Sequence, residues 1–301
     1  MTRRFTTLAW AAAVCTYLLI VLGAVVRITG SGLGCGEHWP LCNGHLFPPL
    51  NDIGTVIEWS HRLVAALVTT LVTALAAYAW LLHRGAGSRE QSAPDRTSYA
   101  ALGLLLVQIL LGAITVKLAL PAWTVVLHLG TAMLLLATLL IIAIGSSPGS
   151  RPGLAALLLL AFVTVLVGAL TANLGAASAC GGFPLCNGQL WTTAGPLAVI
   201  QWTHRLLAYS LTIVAVIWAV RSRSTGPIIA LVLVALQIIV AATMVLYGLP
   251  QVLQAAHVAI GAAVWATVVL AASAPQNDEA PGTMPPGPRP DTRERPVSSS
   301  W

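Results

Sequence analysis

The chain has 301 residues, of which 57% are hydrophobic and only 8% are Asp, Glu, Lys or Arg. A soluble domain usually devotes about a quarter of its residues to charge, so this composition excludes an ordinary soluble fold and requires lipid as the solvent. The net charge of +6 does not indicate nucleic acid, because the arginines occupy short breaks between apolar runs and form no basic stripe.

Eight apolar segments are each long enough to span a bilayer as a helix, which takes about 20 residues. They cover residues 8–28, 53–82, 99–118, 121–144, 153–173, 197–220, 227–247 and 250–273. The first is longer than the apolar region of a signal peptide and is expected to be retained. Pro121 and Pro250 suit a tight turn followed by the first turn of a helix. The sequence therefore predicts an all-α polytopic membrane protein.

The positive charges set the expected orientation. Eleven of the 15 Lys and Arg residues lie in the termini or in the loops at 83–98, 145–152 and 221–226, and the other four are Arg27, Arg62, Lys117 and Arg205. Positive loops stay in the cytoplasm, so both termini are expected inside the cell membrane and the loops at 29–52 and 174–196 outside. The Pro-, Ser- and charge-rich residues 274–301 are expected to form a disordered cytoplasmic tail.

The chain is an internal duplication. The motif Cys-Gly-Glu-His-Trp-Pro-Leu-Cys-Asn-Gly from residue 35 recurs from residue 180 with one residue deleted, and Glu58-Trp-Ser-His61-Arg recurs as Gln201-Trp-Thr-His204-Arg. Further landmarks keep their spacing in both halves: Gly23 and Gly168, Gln108 and Gln237, Pro121 and Pro250, His128 and His257. Because each unit has four spans, the copies, residues 1–150 and 151–273, are expected to be four-helix bundles related by a pseudo-two-fold axis along the membrane normal.

Four histidines lie at one predicted depth: His61 and His128 in the first half, and His204 and His257 in the second. Two imidazoles on neighbouring helices are how a helical bundle holds haem iron. Zinc and copper sites usually take three or four ligands, and each half offers only two histidines at that depth. The sequence therefore favours two haem sites over packing histidines or metal ions, with pairing within each half expected and cross-pairing left open.

Three arginines are candidates to bind haem propionates, because guanidinium suits carboxylates. Arg62 and Arg205 each follow a histidine, and Arg27 ends the first span of the first half, where Ala172 aligns with it in the second. The alternative is that these side chains extend to the membrane interface.

Glu58 is the only acidic residue inside a predicted span, and Gln201 is its counterpart. A carboxyl group beside an apolar pocket can serve as acid or base, whereas an amide cannot. This difference predicts that the first half reacts and the second holds a permanent cofactor. The alternative is that Glu58 only pairs with an arginine.

Two cysteine pairs, Cys35/Cys42 and Cys180/Cys186, lie in the outer loops, where disulfides are permitted. Both pairs are expected to form local disulfides that shape the loop over each site. The alternative is that the Cys35/Cys42 pair is redox-active. Cys15 is expected to pack as a small hydrophobic residue. The loop histidines without counterparts are expected at the surface: His38, His45 and His83.

The duplicated histidine motifs, Glu58 and the Cys35/Cys42 loop together resemble haem A synthase of the CtaA family, over about residues 5–273. The resemblance implies oxidation of the C8 methyl of haem O to a formyl group, which gives haem A for cytochrome oxidase. It also implies that His61 and His128 flank the substrate haem, that Glu58 supports catalysis, and that His204 and His257 hold haem b. Haem O synthase and cytochrome oxidase assembly factors are candidate partners.

Two other functions are compatible with the residues. A di-haem electron carrier that oxidises quinol would use both histidine pairs without chemistry on haem. A transporter is the other alternative, since internal repeats are common in transporters. It would use the histidines to carry protons and would bind no haem.

Overall fold

The computed structural model describes residues 2–85, 93–146, 152–192 and 194–273, and these ranges contain eight long helices. They are α1 Arg3–Ile28, α2 Ile53–Gly85, α3 Ala93–Lys117, α4 Ala122–Ile144, α5 Pro152–Asn173, α6 Pro196–Ser222, α7 Thr225–Leu246 and α8 Gln251–Ser273. All eight are long and apolar enough to cross a membrane. The prediction of an all-α polytopic membrane protein is therefore confirmed, while the predicted tail at 274–301 lies outside the described residues.

Polar side chains cap the N-terminal ends of α1 and α2. The Thr2 hydroxyl accepts a hydrogen bond from the Phe5 amide at 3.3 Å, so α1 begins five residues before the predicted segment. Asp52 plays the same part before α2, where its carboxylate accepts from the Thr55 amide at 2.7 Å. Hydrogen bonds from the Thr55 backbone and side chain hold the pKa of Asp52 below its ordinary value.

The turns between α3 and α4 and between α7 and α8 are tight. Ala119, Leu120 and Leu249 have positive φ angles. Pro121 is the N-cap of α4 with an extended backbone, and α8 likewise begins one residue after Pro250. The spans predicted from sequence begin at these prolines. In the structure the prolines instead precede the first helical turn, because the chain leaves the tight turn in an extended conformation.

Contacts between helices form two rings of four. In the first ring α1 packs on α2 and α4, and α3 packs on α2 and α4; in the second α5 packs on α6 and α8, and α7 packs on α6 and α8. The rings meet where α4 contacts α5 and α8, and where α1 contacts α8. Helices α1, α4, α5 and α8 therefore form the centre of the molecule.

The core lies at this interface, away from the disulfide end, which we define as the end of the bundle carrying the α1–α2 and α5–α6 loops. Leu135, Leu136 and Leu139 of α4 are at most 2% exposed. On α8, the buried Trp265 ring lies 5.6 Å from the Phe162 ring, and its Nε1 donates to the Met133 carbonyl at 2.9 Å. Apolar packing at one end of the interface leaves the disulfide end free for a site.

We expect Trp265→Phe to lower the free energy of unfolding by about 1 kcal/mol, because it removes one buried hydrogen bond between the halves. Trp265→Ala, which also leaves a cavity, should cost about 3–5 kcal/mol. Denaturant unfolding in detergent measures both. Trp191→Phe is the control, because Trp191 is 72% exposed; an equal effect of the two Phe variants would contradict the expectation.

Candidate functional site

The two histidines of the second half lie at a separation that one metal ion would bridge. The ring centroids of His204 on α6 and His257 on α8 are 6.4 Å apart, and the ring planes are inclined at 79°. Two metal–imidazole bonds of about 2 Å on opposite sides of an ion separate the ring centres by about 6 Å. The pair therefore fits the two axial ligands of a haem iron.

The first half carries its two histidines on the equivalent helices. His61 on α2 and His128 on α4 lie within electrostatic reach of each other and line the same cavity as the second pair. His61 and His204 follow the first residue of their helix by eight positions, and His128 and His257 by six. At 1.5 Å per residue these offsets are about 12 and 9 Å, so all four side chains lie at a similar depth below the disulfide end.

Glycines let the helices approach the imidazoles closely. A Cβ on Gly23 would lie 3.2 Å from His61 Cε1, and a Cβ on Gly168 would lie 2.7 Å from His204 Cε1. Both rings thus pack against bare helix backbone. The repeated glycine of α1 and α5 has this steric reason.

Unpartnered polar atoms are concentrated around the histidines. The Nδ1 atoms of all four histidines are buried and make no hydrogen bond. Backbone groups of Gln108 and Thr164 lie near the imidazoles of His128 and His204, but neither makes a hydrogen bond to Nδ1. Leaving a buried polar atom unpaired costs about 1–3 kcal/mol, so this concentration indicates a ligand site and not a packed core.

Two glutamines belong to the same sites, although the sequence marked them only as landmarks of the repeat. Nε2 of Gln108 lies 3.1 Å from Nε2 of His128, and Nε2 of Gln237 lies 3.2 Å from Nε2 of His257. The carbonyl oxygens of both glutamines are buried without a partner. A polar residue at the same position of a span in both halves was the signal that could have identified them.

The donor set fits haem better than a bare metal ion. In the described part of the chain, no three His, Cys, Asp or Glu side chains come together to hold a metal ion. Zinc and copper sites usually need three or four protein ligands. A porphyrin supplies the equatorial ligands itself and requires from the protein only the two axial ones that each half provides.

One cavity of about 1080 Å³ connects the two halves and is lined by all four histidines among mainly apolar side chains. The two loops border it unequally. From the first loop it is lined by a run between residues 39 and 47 that includes Trp39, Leu46 and Phe47, and from the second loop by Ala177 and Phe183. The duplicated sites therefore differ at their mouths.

Glu58 and Gln201 occupy equivalent positions and anchor the disulfide loops. The buried Glu58 carboxylate accepts a hydrogen bond from the Cys35 amide at 2.7 Å, and the Gln201 carbonyl accepts from the Cys180 amide at 2.6 Å. Glu58 also forms an ion pair with Arg62. The pairing that the sequence left open as an alternative is thus present, while a part in catalysis stays a prediction.

Arg62 and Arg205 bind the carbonyls of their own loops. Arg62 Nη1 donates to the carbonyls of His38 and Leu41, both at 2.7 Å. Arg205 donates to the Leu185 carbonyl at 2.8 Å and the Cys180 carbonyl at 3.0 Å. Each guanidinium therefore satisfies backbone groups of a loop packed on the membrane helices, and contact with haem propionates stays a prediction.

Arg27 belongs to the first half, but its side chain forms hydrogen bonds with residues of the second half. Its guanidinium donates to the Ala172 carbonyl at 3.4 Å and to Gln254 Oε1 at 3.3 Å. Ala172 follows Gly168 by four residues on α5, and Gln254 precedes His257 by three on α8. The first half thus places a cation beside the second site, where sequence alone had assigned Arg27 to the first.

Both cysteine pairs form local disulfides, Cys35–Cys42 and Cys180–Cys186. Each is followed by an Asn-Gly turn with positive φ angles, the conformation of a tight hairpin. Cys15 is a half-buried free thiol in α1. His38 and His45 are exposed in the first loop, as predicted, and His45 also lines the cavity. His83 is exposed too, but it lies in the last turn of α2 and not in a loop.

Comparison with known proteins identifies relatives of the chain. The family COX15-CtaA, described as cytochrome oxidase assembly protein, matches residues 6–269. The haem A synthase of Alkalihalophilus pseudofirmus is 36% identical over 222 residues, which are 67% of this chain and 72% of that protein. The haem A synthase of Bacillus licheniformis is 31% identical over 243 residues, 73% of this chain and 78% of its own length. That of Exiguobacterium sibiricum is 31% identical over 250 residues, covering 77% and 82%.

We expect Gly168→Ala to weaken haem binding at the second pair by about tenfold, because the new methyl group overpacks the His204 ring at a cost of about 1–3 kcal/mol. Gly23→Ala should have a smaller effect on His61, since its contact is longer. Titration of purified protein with haem, followed by absorption, measures both. Gly103→Ala is the control, because no atom lies within 4 Å of its added Cβ; equal binding by the Gly168 and Gly103 variants would contradict the packing argument.

Proposed function

The chain belongs to the COX15-CtaA family of cytochrome oxidase assembly proteins, and we propose that it is a haem A synthase acting on haem O. The observation that carries the proposal is the duplicated histidine pair in one membrane cavity, with the second pair at the separation of two axial iron ligands. Relatives that are 31–36% identical to the chain carry this function in their names.

The two pairs take different occupants in this proposal. His61 and His128 flank the substrate haem, and His204 and His257 hold haem b. The longer border that the first loop makes with the cavity supports this assignment, because a substrate must enter and its product must leave. An apolar border also suits the hydrophobic tail of haem O.

The proposed reaction oxidises the C8 methyl of haem O to a formyl group through two hydroxylations, after which the geminal diol loses water. Overall the methyl gains one oxygen atom at the oxidation level of water and gives up four electrons and four protons, which pass to an electron acceptor outside the chain. When bound, haem b supplies one-electron transfer. The chain itself orients the substrate through His61 and His128 and keeps water out with an apolar lining. Glu58 supports the reaction as the acidic residue of the cavity wall, where it holds the Cys35 loop and Arg62 in place.

The chain is a multi-pass membrane protein, and we propose the cell membrane with both termini in the cytoplasm and the histidine sites toward the outer face. Eleven arginines lie in the termini and in the loops at 83–98, 145–152 and 221–226. Their position supports this orientation through the positive-inside rule. Haem O synthase and cytochrome oxidase assembly factors remain proposed partners.

A quinol-oxidising di-haem carrier and a transporter are not favoured by the relatives. They also differ from a haem A synthase in the pigment they would contain. The carrier would yield only haem b on extraction, and the transporter would show no Soret band.

We expect the wild-type protein, expressed with a source of haem O, to yield both haem b and haem A on extraction and chromatography. His61→Ala and His128→Ala should abolish haem A and retain haem b, because only the substrate site loses a ligand. His204→Ala and His257→Ala should lose haem b. Wild-type protein that contains haem b alone would contradict the proposed function.

We expect Glu58→Gln to retain haem b and to lose most of the conversion of haem O, because an amide neither exchanges protons nor neutralises Arg62. The amide still accepts the Cys35 hydrogen bond, as Gln201 does for Cys180, so the loop should remain folded. The measurement is the ratio of haem A to haem O in the extract. Normal conversion by this variant would refute the division of labour between the halves.

A further inference from the structure

The charged side chains that line the cavity are few and unevenly distributed. Apart from the histidines they are Arg27, Glu58, Arg62 and Arg205. Sequence comparison of the halves would count one arginine next to one ligand histidine of each half, and Arg27 as an extra arginine of the first half. The contacts in the structure give the opposite balance.

At the first site the charges cancel. The Glu58 carboxylate and the Arg62 guanidinium form the ion pair of this half, and both are part of the cavity wall beside His61. Arg27, the other cation of the first half that lines the cavity, points away toward α5 and α8. The wall of the first site is therefore close to neutral.

At the second site two positive charges remain. Arg205 is only 7% exposed and has the neutral Gln201 where Arg62 has Glu58. Arg27 contacts a backbone carbonyl and the Gln254 amide, so its partners are neutral as well. Among the described residues, neither guanidinium lies within ion-pair distance of a carboxylate.

We propose that this unequal charge sorts the occupants of the two sites: Arg27 and Arg205 retain an anionic haem at the second site, and the Glu58–Arg62 pair leaves the first site neutral so that its haem can exchange. The inference rests on the proposed function. It makes Arg27 a retention residue of the second site and gives Glu58 an electrostatic task in addition to any part in the reaction.

The physical basis is the field of a charge in an apolar wall. Haem propionates are carboxylates, so a haem is attracted by a positive wall and held less by a neutral one. Charges in a lipid-embedded bundle are screened far less than charges in water, so a single unit of charge changes affinity strongly. Reduction adds an electron to haem, so a positive wall also favours the reduced state at the second site.

Reciprocal exchange of Glu58 and Gln201 tests the proposal. Each new residue already occupies the equivalent position in the other half, where it accepts the same hydrogen bond from a cysteine amide. Gln201→Glu places a carboxylate near the Ala177 carbonyl, which now accepts from the amide of Gln201. Arg27→Gln is therefore the second variant, because it lowers the charge of the second site without that conflict.

The measurement is transfer of haem from the loaded protein to apomyoglobin, followed by chromatography that separates haem b from haem O and haem A. In wild type, haem O and haem A should leave faster than haem b. Glu58→Gln should slow their release by about tenfold and leave haem b unchanged, whereas Gln201→Glu and Arg27→Gln should speed the release of haem b by about tenfold. Both latter variants should also lower the reduction potential of haem b, by 59 mV for a tenfold change in a one-electron equilibrium.

Gln189→Glu is the matched control, because it adds the same charge on an exposed residue of the α5–α6 loop outside the cavity wall. Wild-type release rates in all of the cavity variants, or equal changes at both sites, would overturn the proposal. Its failure differs from failure of the proposed function: a wild-type protein that forms haem A but whose variants release haem at unchanged rates refutes only the charge argument.

Discussion

A polar group inside a lipid-embedded bundle must find its partner within the protein, and this constraint organises the disulfide end of the molecule. Guanidinium groups satisfy loop carbonyls in both halves, and Glu58 and Gln201 satisfy a cysteine amide. Once these pairs are formed, the buried side-chain atoms that lack partners in the described chain belong, with the exception of Trp202 Nε1, to the ligand histidines and their glutamines. Within the described ranges, and apart from Trp202 Nε1, buried side-chain polar atoms therefore lack a partner only where a ligand would bind.

Duplication preserved the supports of the site and changed its charge. Three supports recur in both halves: the glycine that packs against the α2 or α6 histidine, the helix arginine that binds the loop carbonyls, and the disulfide. The residue that receives the cysteine amide is free to be acidic or neutral, because both side chains offer the accepting oxygen. A single replacement at this position therefore altered the electrostatics of one site and left its scaffold intact.

The sequence predicted the number of helices and the positions of the histidines, because apolar length and exact repetition are local properties of the chain. It did not predict the direction of Arg27, since the contacts with Ala172 and Gln254 join residues more than 140 positions apart. It also treated Gln108 only as a landmark, because its partner His128 lies on another helix. The start of α1 was displaced because Thr2 provides a cap that hydropathy does not register.

The path of Arg27 also shows that neither half is a complete copy of the other. A guanidinium in an apolar bundle is costly to bury, and the second half offers it the Ala172 carbonyl and the Gln254 amide, both neutral. Ala172 is the counterpart of Arg27 in the second half and is uncharged, so the second half contributes no equivalent cation to the first site. Each four-helix ring therefore supplies its own pair of histidines, but the charge of the second site is set partly by the first ring, so the full charge difference between the two sites exists only when the rings are joined.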